Sequence, residues 1–402
     1  MVLISAVSII DKASIPGLQT GEMMGDVSSS DGSTRMVPMD ILKGILMIGI
    51  VLAHLELYDS PSRVGNPPTI VMMLYLGLPV YYIIAGYFYK PGRDLKVNLR
   101  RVYRLLLALV ITSVLSPTIV FVWFTLTGQP IELSDLFDSI IRAFWFEGLL
   151  EPVDSPMNFL MCYVTQVNYF LWPMAAGLII FFLSEKYVMK DNRRIAAMIV
   201  AMLCLQMLFT AIYVRIPFYL QLCPMATAFI FLGALISKYD LFGRICRFDW
   251  RNYRYWLIFI ISVAMAYVLC SILPPGVYFD NLIFGDHGFW SVIPCFIEVF
   301  FVSVFLLFVA VILSKVPALS PLLSLTGRHT LSMALYHMLV AKMIMAVFFK
   351  FSYDRWFPEE LGSLDLLAIG LVSIVICVAM GVLWWKCKKS HGLNLWPKTS
   401  YL

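Results

Sequence analysis

The sequence predicts an all-α polytopic bundle of about ten membrane-spanning helices with both chain ends on the cytoplasmic side. Three observations predict it. Of 402 residues, 60% are hydrophobic and only 14% charged, with a mean hydropathy of +0.83, far more apolar than a soluble domain of this length tolerates. Mostly apolar runs of about 18 residues or more recur along the chain, and ~20 helical residues cross a ~30 Å hydrocarbon core with every backbone group paired internally. Lysine and arginine crowd into alternate loops, as they do in short cytoplasmic loops.

The predicted spans lie at 39–57, 69–89, 104–126, 161–184, 195–214, 217–237, 255–273, 289–314, 330–350 and 363–385. Residues 1–35 precede them. "MVLISAVSII" is too short to span and lacks a basic leading region and a small-residue cleavage site, so it is a poor signal peptide. "GEMMGDVSSSDGSTR" reads as disordered, and Met36 and Met39 are candidate starts. A transmembrane domain is expected over 36–386 and a basic cytoplasmic tail over 387–402.

Between the spans, "KPGRDLKVNLRRVYR", "SEKYVMKDNRR", "SKYDLFGRICRFDWRNYR", "SKVPALSPLLSLTGR" and "KCKKSHGLNLWPK" hold most of the 30 lysines and arginines. The alternate loops are net acidic, which sets the orientation. The net charge of +5 follows from this asymmetry, so the expected partner of the basic face is anionic lipid and not nucleic acid. The longest loop, 127–160, is expected outside, and its amphipathic stretch "LSDLFDSIIRAFWF" either covers a site or lies as an interfacial helix. Pro79, Pro173, Pro224 and Pro294 fall in the outer halves of the even-numbered spans. Matched interruptions belong to inverted-repeat transporters, but no clear internal repeat accompanies them. The eight cysteines show no C-x-x-C pair and no zinc spacing. They are expected as buried small hydrophobes and no metal is expected, although Cys270 and Cys295 both lie near the outer face, where pairing is conceivable.

An ionisable side chain within a span costs about 2.5–3.5 kcal/mol on insertion scales and is a functional-site hypothesis by default. The spans contain Lys43, His54, Glu298, His337 and Lys342. Eleven residues at ~100° each return to within ~20° of the same azimuth, so Lys43 and His54 share one helix face ~16 Å apart. Lys43 is then near the cytoplasmic surface and His54 deep toward the outside. A neutral imidazole, with an unperturbed pKa of ~6.5, takes a proton from a hydroxyl near neutral pH, and a lysine at the inner end suits an anionic ligand. Arg93, Lys96, Arg100, Arg101 and Arg104 extend that positive mouth. The plainer alternatives are a Lys43 that snorkels to the headgroups, a His54 that bonds two helices together, and arginines that only enforce topology.

These residues resemble the acyltransferase 3 family of integral-membrane O-acyltransferases. Asp40, Lys43, Gly44 and His54 are similar to its first-helix pattern, with lysine at the basic position as in the fucose 4-O-acetylase-like subgroup. "YYIIAGYFYK" resembles its aromatic stretch, with Ala85 where serine is usual, and "NLRRVYRLLLALV" its Arg-x-x-Arg-Leu entry. "NYFLWPMAAGL", with Tyr169 for tryptophan, "CPMATAFIFLGALI" and "LSLTGRHTLSMALYHMLV" follow in the family's order. The resemblance covers about 36–350.

The resemblance implies transfer of an acyl group, usually acetyl, from cytoplasmic acyl-CoA to a hydroxyl of a sugar or glycan destined for the cell surface, by an enzyme of the cell membrane. It implies His54 as general base. Glu298 is a candidate to orient His54 or hold the acceptor, and Lys43, Arg100, Arg101, Arg104, Arg328 and His337 are candidates for the coenzyme side, whose phosphates take charge-assisted hydrogen bonds. Asp40 is alternatively a partner of Lys43 three residues on. Trp145, Glu147 and Asp154 of the external loop are candidates for the acceptor. The competing readings are a transporter or flippase without acyl chemistry and a non-catalytic subunit of a glycan export machine. No P-loop, G-x-G-x-x-G, G-x-S-x-G or H-E-x-x-H stands in the chain, so nucleotide-driven pumping and soluble-type hydrolase chemistry have no support.

Overall fold

A computed structural model describes residues 36–58, 77–128, 131–145, 170–212, 216–247, 249, 251–272, 289–348 and 363–391. Among these residues there is no strand. The α-helices, in chain order, are α1 (Val37–Tyr58), α2 (Gly77–Tyr87), α3 (Leu95–Leu126), α4 (Leu133–Trp145), α5 (Leu171–Val188), α6 (Asn192–Ala211), α7 (Cys223–Lys238), α8 (Leu241–Cys246), α9 (Tyr253–Ile272), α10 (Val292–Leu313), α11 (Leu319–Arg328), α12 (Thr330–Phe348) and α13 (Ser363–His391). Every predicted span is mainly helical where it is described, the sixth beginning with a 3-10 turn over Pro217–Leu222 in which Phe218 and Tyr219 have positive φ. Among the described residues seven segments are long and apolar enough to cross a membrane, and α12 contains a shorter apolar helix over Thr330–Met345. The protein is an all-α, multi-pass membrane bundle. The expectations for residues 1–35 and for 392–402 lie outside the described residues.

Helix ends depart from the hydropathy pattern, and capping explains one of them. Asp94 accepts a hydrogen bond from the Lys96 N–H at 3.1 Å, so α3 starts at Leu95 and the arginine-rich run forms its first turns. An N-cap acts on orphan N–H groups regardless of how polar the turn is. Similarly α13 continues past the apolar run to His391. The prolines also find a local reason. Pro173, Pro224 and Pro294 sit in the first turns of α5, α7 and α10, where the missing N–H has no intrahelical partner to lose. They start helices and do not interrupt them.

Helix α1 is the hub, packing against α2, α10, α11, α12 and α13. Bilayer lipid gives no hydrophobic drive between helices, so close backbone approach at small residues carries the association. A Cβ on Gly44 would run into the Leu323 carbonyl oxygen, and one on Gly327 into that of Asp40. Helices α1 and α11 therefore touch backbone to backbone at these two glycines. Gly86 of α2 and Gly233 of α7 make the equivalent reciprocal contact, against Ile230 and Ile83. Tyr81 fixes α2 on α1 by donating its hydroxyl to the Lys43 carbonyl at 2.7 Å.

Candidate active site

The shared face of α1 points into protein. Lys43 and His54 are each 2% exposed, so Lys43 does not snorkel to the headgroups. Its Nζ lies 5.2 Å from the centre of the Phe88 ring, an arrangement in which the ring's negative face offsets part of the desolvation of the ammonium.

At the other end of that face, His54 meets His337 of α12. The ring centres are 5.5 Å apart at an interplanar angle of 36°, and His337 is 1% exposed. The glycine contact explains the match in level. His54 stands ten residues beyond Gly44 and His337 ten beyond Gly327, the first interval being ~15 Å of continuous helix and the second crossing the α11–α12 junction at His329. His337 Nδ1 is 2.7 Å from the Met333 carbonyl oxygen. A carbonyl only accepts, so Nδ1 bears the hydrogen of the neutral ring and Nε2 keeps the lone pair. That Nε2 is buried and, among the described residues, has no hydrogen-bond partner.

His337, a candidate for the coenzyme side, lies against His54, and ~16 Å of helix separates that level from Lys43. The signal for this pairing was in the chain: "GILMIGIVLAH" and "GRHTLSMALYH" each run from glycine to histidine over the same interval.

Glu298, 2% exposed on α10, accepts a hydrogen bond from the Cys270 thiol of α9 at 2.6 Å, while the imidazole that faces His54 is that of His337. Cys270 and Cys295 are both free thiols. On α3, Arg101 and Arg104 are half-buried and Arg100 is exposed. One turn earlier, buried Asn98 has an Nδ2 without a hydrogen-bond partner among the described residues, a polar donor not anticipated from sequence. Arg328 is exposed at the end of α11, and Lys342 is buried on α12. Trp145 ends α4; its side chain, like Glu147 and Asp154, lies outside the described residues.

A family model described as an acyltransferase domain, that of acyltransferase 3, matches residues 37–382. The chain belongs to the acyltransferase 3 family. Comparison with curated proteins and with solved structures finds no match. The matched region takes in every site residue placed above, so the buried polar groups belong to a membrane-bound acyltransferase. Acyl transfer needs a group that removes a proton from the attacking nucleophile. In this acyltransferase the two facing imidazoles offer lone-pair nitrogens inside a water-poor bundle, and Lys43 offers positive charge lower on the same face.

Proposed function

We propose that this acyltransferase moves an acyl group, acetyl in the first instance, from cytoplasmic acyl-CoA to a hydroxyl of a sugar or cell-surface glycan, with His54 as general base. The observation that carries the reading is the enclosure of Lys43 and His54 on one face of α1, since two ionisable groups deep in a bundle are retained at a cost that structure alone does not require. Their ~16 Å separation suits a long pantetheine arm whose phosphates stay at the basic inner mouth. Lys43, Arg101 and Arg104, with Arg100 and Arg328 outside them, are the groups for those phosphates. The enzyme is assigned to the cell membrane, where the acceptor is reached from the outer side.

The step balances simply. The acceptor oxygen bonds to the thioester carbonyl carbon as its proton passes to His54. The carbon–sulfur bond then breaks, its electron pair leaves on sulfur, and His54 returns the proton to give the free thiol. General base catalysis of this kind contributes typically 10²–10⁴-fold.

The test compares wild type with His54→Ala in the same lipid, following label from radiolabelled acetyl-CoA into membrane glycans. Label from wild type alone is the expected result. Equal label from both removes His54 as base, and label from neither removes acetyl-CoA as donor and returns weight to transport without acyl chemistry.

A further inference from the structure

Two buried histidines face each other, and the reaction as written uses one. We propose that His337 is the positioning residue for His54: its Nε2 accepts a hydrogen bond from one ring nitrogen of His54 and so leaves the other with the lone pair that takes the acceptor's proton. This rests on the reading of His54 as general base.

The chain of reasoning starts at a main-chain atom. The Met333 carbonyl, 2.7 Å from Nδ1, holds the hydrogen there and turns Nε2 into a pure acceptor. An acceptor nitrogen sealed from water and without a partner among the described residues carries an uncompensated desolvation cost. The His54 ring lies 5.5 Å away, centre to centre. Two imidazoles joined by a straight N–H···N bond of ~2.9 Å would stand ~5.2 Å apart, so the observed ring spacing is close to that of a bonded pair, and catalytic hydrogen bonds commonly tighten only when substrate is bound. A base oriented by a third group through its other nitrogen is the recurring arrangement for activated nucleophiles. Here the third group is a neutral imidazole, anchored in its turn by the backbone. When His54 accepts the hydroxyl proton, both of its nitrogens carry hydrogen, and His337 Nε2 stabilises the cation through the second of them. Return of the proton to the coenzyme sulfur restores both rings to their starting forms.

The experiment uses full-length protein in native membranes, with acetyl-CoA as donor and the endogenous glycans as acceptor, and reads maximal rate and apparent KM for acetyl-CoA separately. His337→Leu removes the acceptor atom. It is expected to lower the maximal rate by about 100-fold or more and to leave KM within about threefold, because orientation of the base does not touch the coenzyme. His337→Gln can place Oε1 where Nε2 stood and is expected to return to within about tenfold of wild type. His337→Asn is too short to present that acceptor while still able to donate to the Met333 carbonyl, and should stay as slow as His337→Leu. If the leucine variant does not assemble, as judged by gel filtration in detergent, the glutamine and asparagine variants decide between themselves. A wild-type rate in His337→Leu, or equal rates in the glutamine and asparagine variants, overturns the proposal. Failure of the underlying reading has a different signature: wild type transfers nothing from acetyl-CoA, or His54→Ala transfers normally.

Discussion

Lys43 shows how a single residue can be placed by spacing and understood only by packing. Its ammonium is enclosed beneath Phe88, where a cation–π contact is worth ~2 kcal/mol once desolvated. Hydrogen bonds to charged groups are worth about 1.5–3 kcal/mol, so Lys43→Ala is expected to raise the apparent KM for acyl-CoA by about tenfold or more while changing maximal rate much less. Steady-state kinetics over a range of acetyl-CoA concentrations checks this, and an unchanged KM would leave Lys43 as a packing cation. The common face of Lys43 and His54 was legible in the sequence because helical periodicity is a local property. The partnership of His54 with His337 left only a matched glycine-to-histidine interval in the sequence, because the contact itself depends on how two distant helices meet. The partner of Glu298, Cys270, depends on the same kind of contact between α9 and α10.

At the level of elements, the α1–α11 crossing is set by glycines that no larger residue can replace without moving a backbone. Gly327→Ala drives a methyl into the Asp40 carbonyl, and overpacking of this kind costs typically 1–3 kcal/mol. A lower midpoint of thermal unfolding in detergent is expected, together with slower transfer, since the same contact levels the two histidines. The short helix α8 offers a different check. Burial pushes the Cys246 thiol up to about 12, the effect reinforced by Asp240 and opposed by the Arg247 cation. Very little thiolate exists at pH 8, and the thiolate is the reactive form. Maleimide at that pH should therefore modify exposed Cys387 well before Cys246, and unfolding in detergent should remove the difference. Helix existence was readable from apolar runs, whereas helix extent was not: α3 and α13 continue into polar sequence, which hydropathy does not register.

The described bundle is largely apolar inside and out, as a lipid-embedded bundle must be. Exposed Val110, Ile111, Val114 and Leu115 on α3, and Leu371, Val372 and Val375 on α13, form its lipid-facing surface. Trp256, Trp384 and Trp385 sit at helix ends assigned to the cytoplasmic interface, where their amphipathic rings are favoured. On the opposite side α4 exposes Leu133, Phe137 and Ile141 along one stripe and turns Phe144 onto Trp172 and Phe218, the disposition of a helix lying in an interface. The orientation predicts that an impermeant maleimide labels Cys387 in inside-out vesicles and spares it in right-side-out ones. The central place of α1 also has a consequence in time. It is the first described helix to be synthesised, yet α10 to α13, on which it packs, come last. Roughly 280 residues separate the two histidines, and at ~5–20 residues per second a ribosome takes about 15 to 60 s to make them. Throughout that interval Lys43 and His54 sit in the translocating chain without the helices that will enclose them, so the face that carries them is among the last parts of the protein to be protected from lipid.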